Sequence, residues 1–102
     1  MQFDPILPRS RIEAMRAAGL WRDRLLTDFL DEAAARSPDA VAVTGRNSMT
    51  GRTDTLSWRQ LRRLSDRIAL GLSAHGVGKG DVVSFQLPNW WEFLALHLGC
   101  VR

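Results

Sequence analysis

The sequence predicts an α/β fold, with helices packed on a short hairpin and a core strand, incomplete as a domain. Three observations carry that reading. Gly76–Asn89 reads Gly-Val-Gly-Lys-Gly-Asp-Val-Val-Ser-Phe-Gln-Leu-Pro-Asn, where one helix stops, a strand runs and a second helix starts; such joints build α/β sheets. Upstream, Val41–Thr44 and Thr53–Leu56 flank the polar stretch Gly45–Arg52 in a hairpin pattern. Finally, Trp90–Val101 is apolar around nearly its whole circumference, and such a helix has to be buried on more than one side.

The 102 residues allow one domain at most, and 45% hydrophobic residues supply enough apolar material to argue against disorder. Net charge is +3 with a pI near 10.4. The basic residues are arginines apart from Lys79, and carboxylates are mixed among them. No basic run of the kind a dedicated nucleic-acid binder concentrates is present, so no nucleic-acid partner is expected. Cys100 is the only cysteine, which excludes an internal disulfide and a cysteine-rich metal site. The opening Met1-Gln2-Phe3-Asp4-Pro5 has no secretory pattern. No stretch has the length of a membrane span, and a cytoplasmic setting is the simplest expectation.

In chain order, residues 1–9 hold Pro5 and Pro8 and are expected to form an extended arm. Ser10 and Glu13 have capping-box spacing before a short helix that Gly19 can end. Trp21 is expected to anchor on its own domain. The next helix lies within Asp23–Arg36, with Thr27 a candidate N-cap and Leu26, Phe29, Leu30, Ala33 and Ala34 as its apolar stripe. Asp28, Asp31 and Glu32 could propose a metal site, but acids near a helix start also suit the helix dipole, which is the preferred reading. Ser48–Thr53 resembles a phosphate loop in composition; it lacks the lysine and following helix that such a loop needs, so it is a hairpin tip.

Ser57 and Gln60 form the clearest capping box, with Leu56 and Leu61 at the staple positions. Leu61, Leu64, Ile68, Ala69 and Leu72 make the buried stripe, while Arg59, Arg62, Arg63 and Arg67 share the other side. Those arginines are expected to be a solvated face laced by Asp66. His75 suits the negative end of the helix. The glycine run from Gly76 to Gly80 follows a helix and opens a strand, the reverse of a dinucleotide fingerprint. A strand over Val82–Leu87 is expected to end at Pro88, with Asn89 and Glu92 capping the last helix. Within it, His97 is expected to be a hydrogen-bonded core histidine and Cys100 a small buried residue. Gln86–Asn89, at the carboxyl end of the strand, is the part nearest any pocket, although its role is taken as structural.

The ordered set resembles the N-terminal region of the adenylate-forming (AMP-binding) superfamily of acyl-CoA synthetases. The similarity runs from about Ala18 to Arg102. Its strongest part joins Leu72-Ser73-Ala74-His75-Gly76-Val77-Gly78-Lys79-Gly80-Asp81-Val82-Val83 to Gln86-Leu87-Pro88-Asn89, Glu92 and Phe93. Leu30–Ala35 with Ser37-Pro38-Asp39-Ala40-Val41-Ala42 looks like the family's opening, and Ala18–Asp23 like the entry of the cyclohexanecarboxylate and aryl-acid CoA ligases. The resemblance implies residues 1–22 as an arm and short helix, and residues 23–102 as the beginning of the large AMP-binding domain, truncated in a buried helix. It also implies a parent enzyme that activates a small carboxylic acid with Mg²⁺ and ATP as an acyl-adenylate, then transfers it to coenzyme A. The alternatives are an adenylation enzyme loading a carrier protein, or a stand-alone basic binding module using Arg59–Arg67. The family's phosphate loop, acidic ATP motifs and catalytic lysine have no counterpart in these residues. No catalytic, cofactor-binding or metal-binding residue is therefore assigned, and the expected partner of this segment is the remainder of the parent polypeptide.

Overall fold

The structure, a computed structural model, describes residues 6–102. Its elements follow in the order α1 (Arg9–Ala17), α2 (Leu26–Arg36), β1 (Val41–Arg46), β2 (Thr53–Ser57), α3 (Trp58–Ala74) and α4 (Trp91–Val101). The strands β1 and β2 form one antiparallel pair, with α3 packed mainly against α4 and also against α2 and the hairpin. α3 and α4 therefore do lie on a short hairpin, as the sequence predicts for its helices.

Starts and stops of the helices are set locally. α1 begins one residue before Ser10, with Pro8 at its N-cap and no side-chain cap. The Ser10–Glu13 box is thus not formed. The Pro8 carbonyl accepts from the Arg11 and Ile12 amides instead, at 3.0 and 3.3 Å. Gly19 ends α1 as expected: its φ of +69° is a left-handed conformation open to glycine without a Cβ clash, and the Leu20 amide then reaches Met15 O at 3.0 Å. Trp21 departs from expectation, remaining 40% exposed rather than anchored. Of the arm proposed for residues 1–9, residues 1–5 lie outside the described part, and Arg9 already belongs to α1.

α2 starts earlier than a Thr27 cap would allow. The Leu25 amide donates to Asp28 Oδ2 at 2.8 Å, which fixes Leu25 as N-cap and leaves Thr27 buried in the first turn. Leu25 has no polar side-chain atom, so only half of a capping box exists here.

In the hairpin, Val43 faces Leu56, Thr44 faces Thr55 and Arg46 faces Thr53, with a bulge between Val41 and Val43. The tip is folded by Asn47, whose Oδ1 accepts from the Met49 and Thr50 amides at 2.9 and 3.2 Å. That is the Asx turn that makes asparagine a loop former.

α3 confirms its capping box in both directions: the Gln60 amide donates to Ser57 Oγ (3.2 Å) and the Ser57 amide to Gln60 Oε1 (2.8 Å). Ser57→Ala should lower stability by about 1 kcal/mol. Urea denaturation should show this as a lower midpoint with an unchanged slope. At the other end, His75 Nδ1 lies 2.8 Å from Gly71 O, and the Val77 amide reaches back to Leu72 O at 3.0 Å.

The predicted strand over Val82–Leu87 is a correction. None of these residues belongs to a strand, and none of their backbone groups is hydrogen-bonded to a described residue. The strand-like alternation survives in burial, with Val83 and Phe85 half-buried and Val82, Ser84 and Gln86 exposed. Strand structure needs a ladder partner, and no described segment offers one.

The Asn89 cap is a second correction. The N-cap of α4 is Trp90, whose amide turns back to Pro88 O at 2.7 Å, and no side chain caps it.

The core is thin. Leu30, Leu61, Ala95 and Leu98 are buried together, bordered by Leu56, Trp58, Leu64, Ile68, Trp91 and Leu94. α4 turns Ala95, Leu98 and Gly99 toward α3 while Phe93, His97 and Cys100 stay exposed. Trp90 and Trp91 are both half-buried. One side of this apolar helix is therefore covered and another is open. Val82, Leu87 and Phe93 are among the large apolar residues left exposed.

Candidate functional site

An open groove of about 950 Å³ lies between the last turns of α3, the 77–83 segment and the end of α4. Leu70, Ser73, Val77, Lys79, Asp81 and Cys100 are among the residues lining it. Its floor is organised by a tight turn. The Gly78 amide donates to Asp81 Oδ2 at 2.8 Å, and the Asp81 amide to Gly78 O at 3.1 Å. Gly80, with φ of +93°, supplies the backbone conformation this turn requires. The groove differs from the expected pocket: Gln86–Asn89 does not line it.

Cys100 and His97 also depart from their predicted roles. Cys100 lies on an exposed part of α4 rather than inside, yet neighbouring atoms desolvate Sγ enough to raise its pKa above the ordinary thiol value. A raised thiol pKa is the opposite of what an activated nucleophile needs. His97 is likewise exposed, its ring parallel to that of Phe93 with centroids 6.5 Å apart, while Phe93 meets Phe85 edge-on at 5.3 Å. It is an outer aromatic ladder, not a core hydrogen bond. The helical spacing of 93 and 97 was visible in the sequence; that this side of the helix stays open was not.

Many of the described charged side chains are engaged with one another. Glu32 pairs with Arg24, Asp31 with Arg102 and Arg62, Asp39 with Arg59, and Asp54 with Arg52. Arg24 also covers the ring of Phe29 at 4.0 Å, a cation–π contact. The acids that raised a metal reading thus serve as a cap (Asp28) and as ion-pair partners. Among the described residues no group of three or more His, Cys, Asp or Glu could hold a metal ion. On the basic side of α3, Arg59 and Arg62 are tied to aspartates while Arg63 and Arg67 face solvent.

An ATP site would need free amides or a lysine-bearing loop to hold phosphate. The first amides of α3 are already used, by Ala40 O, Pro38 O and Ser57 Oγ. The start of α3 therefore offers no free amide to a phosphate.

Sequence comparison decides the family. The profile described as "AMP-binding enzyme" matches residues 30–102, most of the chain. The chain belongs to the AMP-binding enzyme family. Among its AMP-binding relatives, a salicylyl-CoA synthase / salicylate adenylyltransferase of Streptomyces sp is 38% identical over 95 residues, covering 93% of this chain and 16% of that protein. A salicyl-AMP ligase / salicyl-S-ArCP synthetase of Mycobacterium tuberculosis is 40% identical over 95 residues, 93% of this chain and 17% of that protein. The apo structure of Mycobacterium smegmatis MbtA superposes with a TM-score of 0.77 at 40% identity, covering 95% of this chain and 17% of that one. The fold is therefore that of part of an AMP-binding enzyme, and the chain spans about a sixth of the length of these relatives.

No described helix is long and apolar enough to cross a membrane.

Proposed function

We propose that this chain is a scaffold segment of an ATP-dependent, AMP-forming ligase whose substrate is an aromatic carboxylic acid of the salicylate type. The observation that carries the proposal is the family match over residues 30–102, together with 38–40% identity to two salicylate-activating relatives. In that reaction the acid's carboxylate oxygen attacks the α-phosphorus of ATP and pyrophosphate leaves. A thiol then attacks the acyl carbon and AMP leaves. Coenzyme A is the favoured acceptor, with Mg²⁺ balancing the phosphate charge. A carrier-protein thiol is the second reading, favoured by the relative whose name includes a salicyl-S-ArCP synthetase. The domain reading stays as proposed from sequence, with 1–22 an arm and short helix and 23–102 the opening of the large domain. A cytoplasmic location goes with the same reading.

The segment's own contribution is support: the hairpin, α3 and α4 form a base on which the rest of such a domain packs, and no reacting group is assigned to it. The test uses the protein encoded by the complete native reading frame. Salicylate-dependent exchange of labelled pyrophosphate into ATP is the expected result, followed by thioester formation with coenzyme A in preference to carrier protein. Absence of exchange with any aryl or aliphatic acid would refute the ligase reading. The 102-residue chain alone should show no saturable ATP binding in calorimetry.

A further inference from the structure

Four charged side chains from three parts of the fold meet at the end of α4. Arg102, directly after α4, forks onto Asp31 of α2, with Nη1 to Oδ2 at 2.6 Å and Nη2 to Oδ1 at 2.7 Å. Its Nε reaches Asp66 Oδ1 of α3 at 2.9 Å. Arg62, also on α3, closes the ring with Nε 3.2 Å from Asp31 Oδ1 and 4.0 Å from Asp66 Oδ2. The Arg102 side chain is 23% exposed, against 39% for Asp31 and 44% for Asp66, so the shared arginine is the most enclosed member. A planar guanidinium suits this arrangement, since its five donors can serve two carboxylates at once. α4 packs extensively on α3 but only sparsely on α2. The fork to Asp31 adds a polar link between α2 and the end of α4, beside the buried cluster that holds Leu30 with Ala95 and Leu98.

We propose that Asp31, Asp66, Arg62 and Arg102 form an acid-sensitive latch that fixes the C-terminal end of α4 against α2 and α3. The groups facing Asp31 are Arg102 from the end of α4 and Arg62 from α3; those facing Arg102 are Asp31 and Asp66. The hydrogen bonds from Arg102 hold the Asp31 carboxyl below its ordinary range, against a smaller desolvation effect and with help from the charges of Arg102 and Arg62. Because the folded-state pKa is depressed, the latch contributes fully above the unfolded carboxylate value, near 3.9. The contribution is lost as pH falls through the lower folded value. Arg102, whose own pKa is raised chiefly by the hydrogen bond to Asp31, stays charged throughout. Opening is local: the Gly99 contact with α3 lies one turn back and involves no titrating group, so α4 loosens at its end while the core persists.

Amide hydrogen exchange at Cys100–Arg102, read by NMR in the 102-residue chain, tests the latch. At neutral pH, Arg102→Gln and Asp31→Asn should each accelerate exchange there about three- to tenfold, leaving Leu61–Ile68 unchanged. The double variant should be no faster than the faster single, because both remove one shared interaction. Arg102→Lys, with charge but no fork, should fall between wild type and Arg102→Gln. After correction for intrinsic exchange, wild-type protection at these amides should drop as pH falls below about 4, and Arg102→Gln should show no such step. Multiplying effects in the double variant, full protection in Arg102→Lys, or the same acid step in Arg102→Gln would each overturn the latch. Carbon-13 titration of the Asp31 carboxyl is the independent check: a value in the ordinary aspartate range in the wild type would also overturn it.

Discussion

Leu61→Ala is expected to destabilise the chain by ~2–5 kcal/mol, the range for deleting a fully enclosed leucine. Leu61 is 1% exposed and sits where α2, α3 and α4 converge, touching the cluster of Leu30, Ala95 and Leu98. Its neighbours cannot readily refill the space. Among the described residues, three of the six buried apolar ones are alanines, Ala33, Ala34 and Ala95, with no side-chain length to swing inward. Whole-domain stabilities are only about 5–15 kcal/mol, and a core this small belongs at the bottom of that range. The variant should therefore be partly unfolded at 25 °C, seen as loss of helical circular dichroism before any urea is added. A variant that keeps a cooperative transition within about 1 kcal/mol of wild type would show that stability resides elsewhere, in the hairpin or in α3 alone.

The same packing explains what was legible in the sequence. Local signals were reliable where the deciding partner lies within a few residues. The Ser57–Gln60 box and the Gly19 and Gly76 helix stops appear where composition and spacing place them, and so do the two hairpin strands, except that β1 runs on through Gly45 and Arg46 of the predicted loop and β2 through Ser57. Three predicted caps failed, Asn89 because α4 takes Trp90 as its N-cap and the other two because their helices start earlier than expected. α1 begins at Arg9 with Pro8 as its N-cap, so Ser10 already lies inside the first turn, and Asp28 takes the Leu25 amide and moves the start of α2 ahead of Thr27. The strand at 82–87 failed for a different reason. Propensity and alternation describe a residue's preference, whereas a strand exists only when a second strand supplies its hydrogen bonds. His97 and Cys100 were misjudged from the same cause: on a helix apolar all round, sequence does not say which side a neighbour will cover. The groove at Leu70, Val77 and Lys79 was not legible, since it joins the ends of two helices far apart in the chain to a turn between them. The latch was hidden in the same way, Arg102 and Asp31 being 71 residues apart.

Gly99 is the second position where a small change should have a large effect. A Cβ placed there would lie 2.5 Å from Ile68 Cγ2, 2.8 Å from Ile68 Cβ and 3.2 Å from the Ser65 carbonyl oxygen. α3 and α4 are therefore in contact at a distance that only a residue without a side chain permits. Replacing glycine by alanine inside a helix would ordinarily gain up to about 1 kcal/mol of helix propensity. Here the gain is outweighed, because forcing a methyl into a packed contact typically costs ~1–3 kcal/mol. These contacts fall on the branched base of Ile68 and on backbone rather than on a flexible tip, so the helices themselves have to separate. Gly99→Ala should then be net destabilising by about 1–2 kcal/mol, and Gly99→Val should lose the cooperative transition. Ile68→Ala in the Gly99→Ala background should restore part of the loss by removing the 2.5 Å contact while leaving those at 2.8 and 3.2 Å. A Gly99→Ala chain as stable as wild type, or one that Ile68→Ala weakens by the same amount as it weakens wild type, would mean that α4 does not seat on α3 at this closeness. In that case the latch at Arg102 would lose the nearby fixed point that lets it open without unfolding the rest.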